Sequence, residues 1–184
     1  QLAPPLNATG RAQAAALAEY FAGQRVHAVW SSDLARAVQT AEALAAPHGL
    51  PVATTPGLRE RHLGLLQGLT PEEAVAAQPA AFEALRGGLT ARIPGGGESA
   101  QDVHDRVAAE VQRIAALHPG QRVAVVAHGG VIHALHWRAT GRPLGTRVVN
   151  ASVHAFRVCG SEWVCTGVTV PEAATAAGSQ DGFG

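Results

Sequence analysis

Apolar positions recur with two alternating periods along the chain. Ala14, Leu17 and Phe21 fall at helical spacing in a stretch from Ala8 to Ala22, with Asn7 ahead of it as a cap and Gly23 behind it as a stop. The block VHAVW, Val26 to Trp30, then reads as a short buried strand. Ser31 and Ser32 are placed to cap a second helix, Asp33 to Ala46, which carries Leu34, Val38, Ala41 and Leu44 on one side and ends before Pro47 and Gly49. Val52 to Thr54 is a further short strand. After an irregular stretch from Gly57 to Leu69, Thr70-Pro71-Glu72-Glu73 combines a capping box with Pro at the first helical position, predicting one or two short helices to about Leu85.

A loop over Gly87 to Gly97 leads to Ser99, which with Asp102 caps a long helix bearing Val103, Val107, Val111 and Ile114, stopped at Pro119 and Gly120. The run VAVVA, Val123 to Ala127, has the small and β-branched make-up of a strand covered on both faces. It passes directly into His128-Gly129-Gly130 and a helix from Val131 to about Ala139. Strands near His154 to Val158 and Trp163 to Val168, separated by Gly160 and Ser161, predict a hairpin. Alternating strands and helices make this a three-layer α/β/α sandwich with a mostly parallel sheet. The 184 residues suit one domain, over 1–170, with an Ala-, Gly- and Ser-rich tail, 171–184, expected to be mobile.

Composition narrows the functions. The 21 Gly and 11 Pro stay below the ~25 to 30% that marks low complexity. Net charge is +0, so no global field recruits nucleic acid or an anionic membrane, and neither partner is expected. No apolar run reaches the ~18 to 20 residues of a membrane helix. Every basic residue is Arg, and Met is absent, so residue 1 is expected not to be the natural start. Cys159 and Cys165 lack metal-type spacing and read as reduced thiols.

Ligand groups in an open α/β sheet collect at the carboxyl ends of strands. Two junctions qualify. Arg36 sits in the first turn of a helix after a strand, where the macrodipole disfavours a cation unless an anion lies between helix and guanidinium; a solvated Arg, or one paired with Asp33 or Glu60, is the plainer alternative. His128 follows a buried strand and precedes two glycines, which brings an imidazole and free backbone N–H groups to one point, unless it is a hydrogen-bonded structural histidine. Leu58-Arg59-Glu60-Arg61-His62-Leu63-Gly64 is a third candidate: a carboxyl group beside an anion suits proton donation, although such clusters also form surface ion pairs.

Other signatures fail. A P-loop needs a Lys, and there is none. Gly95-Gly96-Gly97-Glu98-Ser99-Ala100 satisfies G-x-G-x-x-A but follows Pro94 in a loop instead of a strand. There is no G-x-S-x-G and no H-E-x-x-H. His128, His133 and His136 have no acidic or Cys partner close in sequence, so no metal site is expected.

Taken together these segments resemble the histidine phosphatase superfamily, with its phosphoglycerate-mutase-like fold. PLNATGRAQAAALAEYF is similar to its first helix, SSDLARAVQTA to its phosphate-pocket helix, LRERHLGLLQGL to its acid loop, IPGGGES to the lead into its long helix, and VAVVAHGGVIHAL to its second-histidine junction. The match runs in order from about Pro5 to Val168, and its wording is nearest the plant phosphoglycerate-mutase-like members. The resemblance implies a phosphatase acting on a small phosphorylated metabolite through a phosphohistidine, with no metal or organic cofactor. It implies that Arg36 and His128 bind the phosphoryl group with help from the Gly129 N–H, and that Glu60 donates the proton and later activates water. A cytoplasmic or plastid location is expected.

One departure stands out. The family's nucleophile lies in an Arg-His-Gly motif ending a first strand, which should precede the helix starting at Ala8, and no such motif occurs here. The first strand is thus expected to be missing and the nucleophile to lie upstream, leaving the chain alone inactive. A phosphomutase is an alternative, although Thr70 stands where cofactor-dependent mutases carry Lys; a non-catalytic phosphate-binding module is another. A strand absent beside Val123 to Ala127 would leave a slot and a marginally stable, aggregation-prone chain.

Overall fold

The computed structural model describes residues 4–175. Helix α1 (Ala8–Ala22) begins as expected, with Asn7 Oδ1 accepting from the Gly10 N–H at 2.8 Å. Strand β1 (Ala28–Ser32) runs two residues further than the apolar block suggests, because Ser31 and Ser32 are themselves buried strand residues. They pair with Thr54 and Thr55 of β2 (Val52–Thr55). Helix α2 (Ala35–Ala45) therefore starts later than expected, with Leu34 at its cap and no side-chain cap bond. Short helices α3 (Pro71–Ala77) and α4 (Pro79–Arg86) follow, the first with its Thr70/Glu73 capping box formed. The Ser99/Asp102 box opens α5 (Ala100–Leu117).

Strand β3 (Val123–Val126) leads into α6 (Gly129–Thr140), which begins two residues earlier than its apolar pattern indicates. The hairpin β4 (Val153–Cys159) and β5 (Glu162–Thr169) turns at Gly160, whose φ of 58° favours glycine. The mobile tail expected from residue 171 begins instead with a helical turn, α7 (Glu172–Thr175), whose Ala174 is buried; residues 176–184 lie outside the described residues. Among the described residues no helix is long and apolar enough to cross a membrane.

β2, β1 and β3 form a parallel sheet in that order. Side chains alternate across it. Val29, Ala124 and Val126 pack with Ala41 and Leu44 of α2, while Trp30 and Val123 pack with Val107 and Ile114 of α5 and with Val131 and Leu135 of α6. This gives the three layers of an α/β sandwich. A satellite cluster, Leu66, Ala74, Ala81 and Ile93, holds α3 and α4 against the loops beside them. The middle of β1 and the end of α5 are tied by Trp30 Nε1–H donating to His118 Nε2 at 3.0 Å, with the Arg113 guanidinium 4.9 Å from the Trp30 ring centroid.

The sheet is interrupted. Among the described residues β3 pairs on one side only, with β1, and the β4–β5 hairpin forms a separate two-stranded sheet. Both sheets rest on α5 and α6, since Phe156, Val158 and Trp163 belong to the same core as Val107, Val131 and Leu135. A cavity of about 2130 Å³ takes in the groove between β3 and β4, where both strands and Ile114, Ile132 and Leu135 line it, and continues past α1 and α2 to the Glu60 loop. The expected coverage of β3 on both faces fails at Val125, which is 36% exposed on this groove. An unpaired apolar edge of this kind invites a further strand.

Candidate active site

The carboxyl end of β3 and the start of α6 form the base of the site. His128 is the cap residue of α6 in extended conformation and is only 9% exposed. Arg36, in the first turn of α2, reaches it: Nη2 lies 3.2 Å from His128 Nδ1. Arg has only donors, so Nδ1 must be the acceptor and the ring proton of the neutral imidazole sits on Nε2. That Nε2 is buried and has no hydrogen-bond partner. Burial, followed by the charges of Arg36 and Arg106, drives the His128 pKa down from its ordinary value to about 3, against an opposing pull from Asp33. His128 is thus a neutral donor with its N–H unspent. Burial also lowers the Arg36 pKa, with Glu60 opposing, which leaves a guanidinium still charged at neutral pH.

Glu60 arrives from the loop after β2. Its carboxylate accepts from the Gly130 N–H at 3.1 and 3.2 Å and from the Arg61 N–H at 2.7 Å. Gly130 is in the first turn of α6, whose early N–H groups have no partner within the helix. A carboxylate is favoured there by the helix dipole as well. A Cβ on Gly130 would overlap Glu60 Oε1, so only glycine permits this approach. Gly129, also named from the sequence, is the first residue of α6.

The structure brings Arg36, Glu60, His128 and Gly129 to one crevice at the end of the groove. Of the acid-loop cluster, Arg59 turns away from it, forming a two-pronged ion pair with Asp33 at 2.7 and 2.6 Å. Asp33 is thereby taken up by Arg59, while the Glu60 charge still acts on Arg36, as one of its plainer readings has it. Sequence reasoning did not single out Glu98 and Arg106. They form a further two-pronged pair at 2.8 and 2.9 Å beneath the loop. Their eight-residue separation, from a loop into the first turns of a helix, was the available signal. Among the described residues no group of three His, Cys, Asp or Glu is arranged to hold a metal ion.

A guanidinium, an imidazole N–H and a helix N-terminus around one carboxylate are the parts of an oxyanion-handling α/β domain. The family profile of the histidine phosphatase superfamily, branch 1, matches residues 1–170, and the chain belongs to that superfamily. It is 46% identical over 165 residues to phosphoglycerate mutase-like protein 4 of Arabidopsis thaliana, covering 86% of this chain and 71% of that protein. It is 40% identical over 167 residues to a metal-independent phosphoserine phosphatase of the same plant, with coverages of 89% and 70%. A solved mycobacterial glucosyl-3-phosphoglycerate phosphatase in complex with VO3 superposes with a TM-score of 0.79 at 33% identity, covering 92% of this chain and 89% of that one. Phosphatases are therefore among its relatives.

Proposed function

We propose that the protein is a metal-independent phosphomonoesterase for a small phosphorylated metabolite, working through a phosphohistidine. Supporting this is the convergence of Arg36, His128 and Glu60 at the start of α6, with the His128 Nε2–H unpartnered. Arg36 and His128 hold phosphoryl oxygens, and the Gly129 N–H adds a third donor. A nucleophilic imidazole attacks phosphorus while the ester oxygen leaves, taking a proton from Glu60. Water then gives its proton to Glu60 as it attacks phosphorus, releasing phosphate and the free imidazole. Preorganised donors stabilise the charge that builds on the equatorial oxygens in both steps.

The nucleophile belongs, in this reading, to an upstream strand that fills the groove between β3 and β4 and ends beside His128. Volume favours it. A strand residue in a packed sheet occupies about 3.3 by 4.8 by 10 Å, or ~160 Å³, so eight residues need ~1300 Å³. The cavity of about 2130 Å³, which also runs past α1 and α2 to the Glu60 loop, has room for such a strand beside a small-molecule site. The test compares residues 1–184 with the protein extended by an apolar strand ending in Arg-His-Gly, assayed on 4-nitrophenyl phosphate without metal. The expected result is negligible turnover by the first, turnover and trapped phosphohistidine in the second, and loss of most of it in His128→Ala. Robust turnover by residues 1–184 would place the nucleophile inside this chain.

A further inference from the structure

The loop carrying Glu60 has little regular structure to hold it, yet it is tied down through the backbone of Gly57, Arg59 and His62 and the side chain of Arg61. Arg106 of α5 makes four bonds beneath it. Its Nε and Nη2 donate to the two Glu98 carboxylate oxygens, and its Nη1 donates to the carbonyls of Gly57 at 2.9 Å and Arg59 at 3.0 Å. Glu98 completes the other half. Its Oε2 accepts from the His62 N–H at 2.8 Å, its backbone N–H donates to His62 O at 2.8 Å, and its carbonyl accepts from Arg61 Nε at 2.9 Å. Residues 57, 59, 61 and 62 are therefore all attached to Arg106 or Glu98, and Glu60 lies among them with its carboxylate turned to the Arg61 and Gly130 N–H groups. On the far side Arg59 is bound to Asp33, three residues before Arg36.

A half-buried ion pair is a poor device for stability, because removing two charges from water offsets most of their attraction. Its side chains are only 24% and 23% exposed, and every fork position is matched. What such an arrangement supplies is geometry: a rigid fork whose donors fix two carbonyls and whose partner fixes a backbone N–H. We infer that Arg106 and Glu98 are positioning residues that set where the Glu60 carboxylate stands relative to α6 and the crevice. The inference rests on Glu60 being the proton donor only for its kinetic consequence. The geometric part stands by itself.

Two measurements separate these. In residues 1–184, amide hydrogen exchange reads the Gly130 N–H, whose bond is to Glu60 and which touches neither Arg106 nor Glu98. Arg106→Lys keeps the charge and loses the fork, and Glu98→Gln keeps the shape and loses the charge. Each should speed Gly130 exchange at least tenfold while the α5 interior amides, such as Val111, exchange as before. Unchanged Gly130 exchange in a folded variant overturns the inference, and so does acceleration spread equally over α5. In the catalytically complete protein, the ratio of alkyl phosphate to 4-nitrophenyl phosphate turnover reads the proton donor, since an alkoxide needs a proton to leave and nitrophenolate does not. Glu60→Gln should lower that ratio at least tenfold, and Arg106→Lys should follow it with KM changed less than threefold. A split in Glu60→Gln without one in Arg106→Lys overturns the positioning role. No split in Glu60→Gln overturns instead the reading of Glu60 as proton donor, and the exchange result then judges the positioning on its own.

Discussion

Acidification should destabilise this protein well above the pH at which its carboxylates titrate, and His128 should be the main cause. The unfolded chain takes up this proton below about pH 6.5, while the folded one resists it to about 3. The stability due to a neutral His128 is thus complete above 6.5 and is lost progressively as pH falls towards 3. Each pH unit costs about 1.4 kcal/mol, so the loss is ~2 kcal/mol at pH 5 and between 4 and 5 kcal/mol near pH 3. Against a domain stability of ~5 to 15 kcal/mol that is a large fraction. Asp33, Asp102, Asp105 and Glu110 have pKa values lowered chiefly by hydrogen bonds from Arg59, Arg92, His104 and Arg113 respectively, and their contributions are lost only as pH drops below the ordinary carboxylate range. The interval from 6.5 to 5 belongs to histidine. His136 and His154 are lowered as well, first by burial, so the comparison needs His128→Asn, which keeps an acceptor for Arg36. Urea unfolding at pH 7.5, 6 and 5 should show the wild type losing about 2 kcal/mol more than the variant. Equal losses, within ~0.5 kcal/mol, would refute the buried neutral imidazole.

Three further outcomes are expected. Gly130→Ala, which adds a methyl where the Glu60 carboxylate lies, should cut alkyl phosphate turnover by ~10² or more while leaving the melting temperature within a few degrees, because Ala favours a helix; kcat and a thermal melt check both. Arg36→Gln should weaken inorganic phosphate binding by about 10 to 100-fold, read by titration calorimetry, since a charge-assisted contact contributes ~1.5 to 3 kcal/mol. Val125→Lys on the exposed β3 face should lower concentration-dependent association of residues 1–184 in light scattering, because a charge on an open edge opposes strand pairing.

The fold was legible wherever local chemistry acts on nearby residues. Asn7, the Thr70/Glu73 box and the Ser99/Asp102 box each start a helix where the sequence places them, because a cap is a contact within three residues. Ser31 and Ser32 misled for the same reason. Both are good caps in isolation, but their backbone is committed to Thr54 and Thr55, a pairing set by the sheet. VAVVA promised full coverage from composition alone, and Val125 shows that coverage depends on what lies alongside. In the site, Arg36 and His128 stood out at strand-to-helix junctions and Glu60 in its ionisable cluster, while the role of each came through the resemblance. Arg59–Asp33 and Arg106–Glu98 were not, since an ion pair that ties a loop to another element has no period and its members look like ordinary surface charge.

The two sheets share a floor and no edge: β3 and β4 face each other across the groove, and α5 and α6 carry them both. The width of that gap is consequently dictated by helix packing around Val107, Val131 and Leu135 and is independent of any ladder across it. Such a scaffold has the architecture sought in two-piece reporters, in which a short peptide snaps into a waiting frame and switches on a signal. If the strand proposed above were supplied as a peptide carrying the nucleophile, docking and colour development from a chromogenic ester would be one event.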